Sequence, residues 1–227
     1  MRAILFAAGR GERMKPLTER TPKALLEVGG KALIVRQIER LAAAGIREVV
    51  VNVSHFGEQV EARLGDGSRF GVSILWSREA EPLETAGAIA WARDLLGPEP
   101  FLALSADIHT AFDYACLVPV AQAIARDPAA QAAHFVLVDN PPWHAKGDMG
   151  LEAGLVVRGG PTLTYANISV FHPALFDGVT AGTRLALFPW SYRFVDERRV
   201  TGERYAGDWD NVGTPAQLAA LDRRLTP

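Results

Sequence analysis

The chain opens on a short apolar run, Ala3-Ile4-Leu5-Phe6, that breaks at once into small residues, Ala7-Ala8-Gly9, with Gly11 two places on. No polar residue alternates within the run. That is the mark of a strand buried on both faces, and so of a parallel sheet covered by helices on each side. The spacing predicts strands over 2–7, 48–53, 72–76 and 101–105. Between them it predicts a helix over 32–44, where Leu33, Ile34, Ile38, Leu41 and Ala42 share a face and Gly45 is a C′ stop. Further helices are expected over 56–64 and 85–96, the second closed by Gly97-Pro98. This strand–helix order is that of an α/β protein. After residue 130 the rhythm changes. Strands are expected over 133–138, 149–156 and 163–171, with helices over 183–189 and beyond and over 215–225. The Ala-rich stretch 121–133 reads as a helix and its exit, and Trp76 and Trp91 read as core.

Composition narrows the class. Lys and Arg total 24 against 26 Asp and Glu, a formal charge of −2, which argues against bulk nucleic-acid binding. One cysteine, Cys116, excludes an internal disulfide framework and a Cys-rich zinc site. The apolar start is too short for a signal h-region, and no run approaches the roughly 18 residues that span a bilayer. A reduced, cytoplasmic protein without membrane or nucleic-acid partners is expected. The five histidines form no i, i+4 pair of a zinc helix, and no serine sits in a nucleophile motif. The run Asp196-Glu197-Arg198-Arg199 reads as a solvated face.

The loop after the first strand carries the chemistry. Ala7, Ala8, Gly9 and Gly11 stand at a strand's carboxyl end, where open α/β sheets bind ligands. Small residues there let backbone N–H groups approach phosphate oxygens. Arg13 and Lys23 add two fixed cations. Gly9-x-Gly11 alone is also what a tight turn with solvated arginines shows. It is no dinucleotide fingerprint, since position 14 is Met, and no P-loop, since no G-K-[ST] follows. The longer run, Ala7-Ala8-Gly9-Arg10-Gly11-Glu12-Arg13-Met14 with Pro16-Leu17-Thr18 and then Pro22-Lys23, is the stronger signal.

That run resembles the signature loop of sugar-1-phosphate nucleotidyltransferases. The likeness covers about residues 1–222 and is strongest over 5–34, 83–110 and 207–218. It implies the nucleotide-diphospho-sugar transferase fold, a Rossmann-like, mostly parallel mixed sheet flanked by helices. It implies one domain over 1–227, with a nucleotide-binding half to about residue 110 and a sugar-phosphate-binding half beyond. By the resemblance Arg13 meets the β and γ phosphates, and Lys23 lies near the α-phosphate. Asp107, closing Leu104-Ser105-Ala106-Asp107, matches the family's Mg²⁺ ligand, with Ala106 in place of the usual glycine. The second ligand position, counted back from Gly213-Thr214, falls on Asn211 rather than Asp210. In an extended strand Asp210 points to the opposite face. Asp107 with Asn211 is a workable pair, because phosphates and waters complete a Mg²⁺ octahedron. Thr214 with Pro215 also reads as an ordinary helix cap.

Glu79, Glu84 and Thr85 fall in the region that contacts the nucleobase in the family, with Glu84 where glycine is usual. On composition alone the same stretch reads as an acidic loop with an N-cap. A carboxylate at 79 suits the imide N–H of uracil. Leu83-Glu84-Thr85, Asn140-Pro141-Pro142 and Gly147-Asp148-Met149-Gly150-Leu151 resemble one subgroup, which joins UTP to N-acetylmuramic acid α-1-phosphate in reuse of cell-wall sugars. In that likeness Asn140, Gly150, Glu152 and Asn167 (the last where glycine is common) touch the acceptor sugar, and His144 borders it. Lys146 and Arg184 are candidates for gripping its phosphate. No segment for an assembly domain follows the last helix, which implies a monomer. The readings left open are a glucose-1-phosphate or mannose-1-phosphate pyrophosphorylase and a nucleotide-sensing subunit without turnover, the latter suggested by Asn211.

Overall fold

The computed structural model describes residues 1–226. Its strands in chain order are β1 (Ala3–Phe6), β2 (Glu27–Val28), β3 (Lys31–Ala32), β4 (Glu48–Val53), β5 (Ser73–Arg78), β6 (Phe101–Ser105), β7 (Ile108–Thr110), β8 (Ala133–Val138), β9 (Met149–Glu152), β10 (Leu155–Val157), β11 (Thr162–Phe171), β12 (Val200–Tyr205) and β13 (Trp209–Asn211). The helices are α1 (Leu33–Ala43), α2 (Gly57–Leu64), α3 (Glu84–Trp91), α4 (Arg93–Leu96), α5 (Leu117–Arg126), α6 (Tyr192–Asp196) and α7 (Pro215–Leu225).

Nine strands form one sheet in the order β5-β4-β1-β6-β11-β8-β12-β10-β9. β5, β4, β1 and β6 run parallel, so their carboxyl ends open on one edge. β11 lies antiparallel between β6 and β8, which makes the sheet mixed, and β12 continues parallel to β8. The apolar residues explain the layering. Ala3 and Leu5 face one core with α1 and Val49 and Val51, while Ile4 faces another with Val50 and the α3 residues Ala86 and Ile89. A strand buried on both faces is what its unbroken apolar run requires. A small third cluster joins Met14, Val28, Leu33, Val212 and Leu221, and pins the loop after β1 to the last strand and helix. No helix among the described residues is long and apolar enough to cross a membrane.

Several elements differ from expectation. The predicted helix over 85–96 is split at Ala92 into α3 and α4. The stretch 121–133, expected as a helix and its exit, belongs to a helix that starts earlier, at Leu117, and ends at Arg126, before Asp127-Pro128; the residue before a proline disfavours helical backbone. The strand expected over 149–156 is a hairpin, turned at Ala153 and Gly154, both with positive φ. No helix forms over 183–189; the nearest is the short α6. Trp91 is not core but 46% exposed, while Trp76 packs against the core as expected. β7, β12 and β13 were not legible as separate strands.

Candidate active site

The loop after β1 is built from three single 3-10 turns, Glu12–Met14, Leu17–Glu19 and Lys23–Leu25. Gly11 has φ +63°, and a Cβ there would stand 2.9 Å from Thr18 Cγ2 and 3.3 Å from Lys23 Cβ. Thr18 Oγ1 donates to the Gly11 carbonyl at 2.8 Å. The loop therefore folds back so that Lys23 returns alongside Gly11, and glycine is required by that close approach. Gly9 differs. A Cβ there would meet nothing within 4 Å, and the residue lines open space. The protein gives no internal reason for glycine at 9, as fits a backbone left clear for a ligand.

That open space is a cavity of about 570 Å³ at the shared carboxyl edge of the parallel strands. Ala7, Ala8, Gly9, Lys23, Glu79, Glu84, Thr85 and Asp107 all line it, so most of the expected nucleotide site comes together. Asp107 occupies the turn between β6 and β7, and its carboxylate pairs with the Lys23 ammonium. The two side chains are 27% and 14% exposed, so cation and carboxylate face each other at a partly shielded floor.

Asn52 also lines the cavity, and the sequence reading missed it. Its signal was one polar residue in the strand Glu48-Val49-Val50-Val51-Asn52-Val53. The Ala7 N–H donates to Asn52 Oδ1 at 2.8 Å, and Asn52 Nδ2 donates to Glu79 Oε1 at 2.7 Å. The Leu83 N–H donates to Glu79 Oε2 at 2.9 Å. A buried relay thus runs from the phosphate-side loop through β4 to the segment before α3. Glu79 is only 5% exposed, and burial raises its carboxyl pKa above the ordinary range against the two donors that lower it. Both its oxygens are already engaged, so its first task is to hold this segment rather than to stand free for a base.

Arg10, Glu12, Glu81 and Arg184 complete the charged wall. Arg184 Nη2 contacts Glu84 Oε1 at 2.7 Å. Glu84 has φ +63°, which explains why glycine suits this place. Asn167 likewise has φ +58°, at the register shift of β11 against β8, and Asn tolerates that backbone better than most residues.

Other expected residues lie off the cavity wall. Arg13 is exposed and stands beside Gly213: a Cβ on that glycine would be 3.5 Å from a guanidinium nitrogen. Asn140 is occupied by β11, donating to the Thr162 carbonyl at 3.0 Å and accepting from the Thr164 hydroxyl at 2.9 Å. Gly150 answers to packing, since a Cβ would lie 2.1 Å from the Gly159 carbonyl oxygen. Glu152 is exposed at the β9–β10 turn.

Asn211 is not on the wall but is close in topology. β13 pairs with β7 so that Asn211 stands opposite Ile108, and the Val212 N–H donates to the Asp107 carbonyl at 3.0 Å. Asp210 is taken by Arg224 of α7, as its opposite-face position predicts. Among the described residues no three acidic, imidazole or thiol side chains cluster as a preformed cation cage. The donors present, one carboxylate and one amide oxygen, are hard and few. That suits Mg²⁺, which keeps waters and takes substrate phosphates. The wall itself carries five carboxylates (Glu12, Glu79, Glu81, Glu84, Asp107) and three cations (Arg10, Lys23, Arg184), so a polyanion entering it needs added positive charge.

An open α/β sheet whose strand-end cavity joins a bare glycine backbone to a Lys–Asp pair has the layout of a site for an anionic ligand. The profile of the family described as Nucleotidyl transferase matches residues 2–147, and the chain belongs to that family. Along nearly its whole length it is similar to the N-acetylmuramate alpha-1-phosphate uridylyltransferase of Neisseria meningitidis serogroup B, at 43% identity over 96% of this chain and 95% of that one. The protein of the same name from Caulobacter vibrioides is 33% identical over 98% and 96%. In fold it resembles a Bacillus anthracis protein described as a glucose-1-phosphate thymidylyltransferase, solved with a sucrose. The TM-score is 0.81 at 22% identity, over 99% of this chain and 95% of that one.

Proposed function

We propose that the protein joins UTP to N-acetylmuramic acid α-1-phosphate, giving UDP-N-acetylmuramic acid and pyrophosphate, as a cytoplasmic, Mg²⁺-dependent step in reuse of cell-wall sugars. The observation that carries the chemistry is the Lys23–Asp107 pair at the floor of the cavity. The sugar substrate rests on the full-length likeness to the two uridylyltransferases.

A phosphate oxygen of the sugar phosphate attacks the α-phosphorus of UTP in line. The new P–O bond forms as the bond to the bridging oxygen breaks, and that electron pair leaves with pyrophosphate. The attacking monoester is already anionic at neutral pH, so no side chain needs to take a proton. The protein's part is position and charge. Backbone at Ala8 and Gly9 receives the triphosphate, with Ala7 held behind them by Asn52, and Lys23 turns its ammonium to the α-phosphate. Arg13, beside Gly213, meets the outer phosphates. Glu79 and Asn52 hold the segment of Glu84 and Thr85 against the base. Mg²⁺, held by oxygens of Asp107 and Asn211, supplies charge that offsets the phosphates.

The test is pyrophosphate release with each of the four nucleoside triphosphates against N-acetylmuramic acid, glucose and mannose 1-phosphates. UTP with the first sugar should give the highest kcat/KM. Faster turnover with GTP and mannose-1-phosphate overturns the reading in favour of another pyrophosphorylase, and UTP binding with no release in any pair leaves a sensor. Lys23→Ala should lower kcat more than it raises KM for the sugar phosphate; the reverse split makes Lys23 an acceptor-holding residue.

A further inference from the structure

Trp143 is among the most exposed large apolar side chains of the protein, at 51%. It is not on a loose loop. Asn140, three residues before it, donates to the Thr162 carbonyl and accepts from Thr164, and Asp148, five after, accepts the Tyr165 N–H at 2.8 Å. His144 Nε2 contacts Asp148 Oδ1 at 2.9 Å. A short 3-10 turn, Pro142–His144, thus presents the indole from a segment tied at both ends to β11. The turn is therefore held on both sides of an indole that stands half in solvent.

Its neighbour supplies the direction. Trp143 lies nearly parallel to Trp209, with ring centroids 6.3 Å apart and planes at 28°. Trp209 is fixed in turn, its Nε1–H donating to the Ala166 carbonyl at 2.9 Å, beside the bulge residue Asn167. In β13 Trp209 and Asn211 are two residues apart, so their side chains share a face, while Asp210 faces α7. That face is shared with the buried Ile108 and Thr110 of β7, and its margin leads, outside the cavity wall, from Asn211, next to Asp107 through the Val212 N–H, over the half-buried Trp209 to the exposed Trp143. From the reacting end the surface is therefore polar first and aromatic beyond. A sugar phosphate has the same order: a charged group at C1, then a ring whose C–H face and substituent methyl groups are apolar.

We infer that Trp143 and Trp209 form a shelf for the acceptor, on which Trp143 takes the apolar face or the substituents of the sugar farthest from its phosphate. This deepens the proposed function and rests on it for the identity of the sugar. The shelf discriminates by contact area: an acceptor carrying acetamido and ether groups covers more of the two indoles than glucose does.

The experiment uses the full chain with Trp143→Ala and Trp143→Phe, both at an exposed position where folding is not at stake. In steady-state turnover of UTP and N-acetylmuramic acid α-1-phosphate, Trp143→Ala should raise the sugar-phosphate KM roughly five- to tenfold, the size of one aromatic contact. The UTP KM should move less than about twofold, and Trp143→Phe should recover most of the loss. Independently of turnover, UDP-N-acetylmuramic acid should bind the unaltered protein more tightly than UDP does and quench its indole emission. Trp143→Ala should narrow that gap and remove most of the quenching. An unmoved sugar-phosphate KM in Trp143→Ala, with normal turnover, overturns the shelf and leaves the function standing. Absence of turnover in the unaltered protein overturns the function. The shelf is then decided by the binding titration, where equal affinity for the UDP-sugar and UDP overturns it as well.

Discussion

Asn52 decides more than its single place in a valine-rich strand suggests. It accepts from Ala7 on the phosphate side and donates to Glu79 on the base side. Asn52→Ala leaves an N–H and a carboxylate oxygen without these partners in a buried setting, which costs about 1–3 kcal/mol for such a group. Denaturant unfolding should show that loss, and kinetics should show KM for UTP rising more than KM for the sugar phosphate. An Asn52→Ala protein of full stability and unchanged UTP KM contradicts the relay. Glu79 gives a prediction with a sign. Burial holds its proton more tightly in the native state than in the unfolded chain. Its contribution to stability is therefore full below the ordinary carboxylate value of about 4.3 and is lost as pH rises through the raised native value. A carboxyl-carbon NMR titration should place its midpoint above that ordinary value; a midpoint at or below it contradicts the assignment. Glu84 carries a backbone cost that Glu84→Gly removes and Glu84→Ala keeps, so the glycine variant should unfold later than the alanine variant, by about 1 kcal/mol.

At the scale of elements, the segment that was expected to be a helix over 183–189 shows what a pattern of local residues misses. Leu185, Ala186 and Leu187 are good helix formers. Yet the Leu185 N–H donates to the Leu83 carbonyl at 2.9 Å, and the Gly87 N–H donates to the Leu185 carbonyl at 3.0 Å. The backbone is spent on a partner a hundred residues away, and tertiary pairing overrides propensity. The segment straps the start of α3 and carries Arg184 to the cavity. Gly87 permits it, because a Cβ there would meet the Thr183 carbonyl oxygen at 2.3 Å. Gly87→Ala should destabilise by about 1–3 kcal/mol, read as a lower thermal midpoint, and should weaken nucleotide binding by displacing Arg184. By contrast the cap of α7 was legible, since Thr214 Oγ1 accepts the Gln217 N–H and Pro215 opens the helix. Gly45 also ends α1 as expected, at φ +79°. These are local events between near neighbours. β7 and β13 have three residues each, too few for a periodic pattern, and exist because they pair with each other.

For the whole molecule, the unbroken apolar runs of β1, β4 and β6 announced a parallel sheet, and a parallel sheet places its ligand at the strands' carboxyl ends. That is why the Ala7–Gly9 loop and Asp107, nearly a hundred residues further on, could be expected on one cavity wall. What was not legible is which residues face the cavity and which only shape it. Gly11 and Gly9 look alike in sequence, but one is filled by Thr18 and Lys23 and the other is bare. Asn140 and Gly150 matched a pattern for the acceptor side, yet their contacts are with their own chain. The charge balance of the wall, the Asn52 relay and the exposed indole of Trp143 depend on the folded arrangement of distant segments.

The account stands most directly on Asp107. The measurement is pyrophosphate release from UTP and N-acetylmuramic acid α-1-phosphate in Mg²⁺, for the unaltered protein and for Asp107→Asn. Turnover should fall roughly 10²–10³-fold, as for loss of one charge-stabilising group at a reacting centre, with the unfolding midpoint little changed. An Asp107→Asn protein that keeps nearly full Mg²⁺-dependent turnover contradicts the claim that phosphate, cation and acceptor meet at this carboxylate.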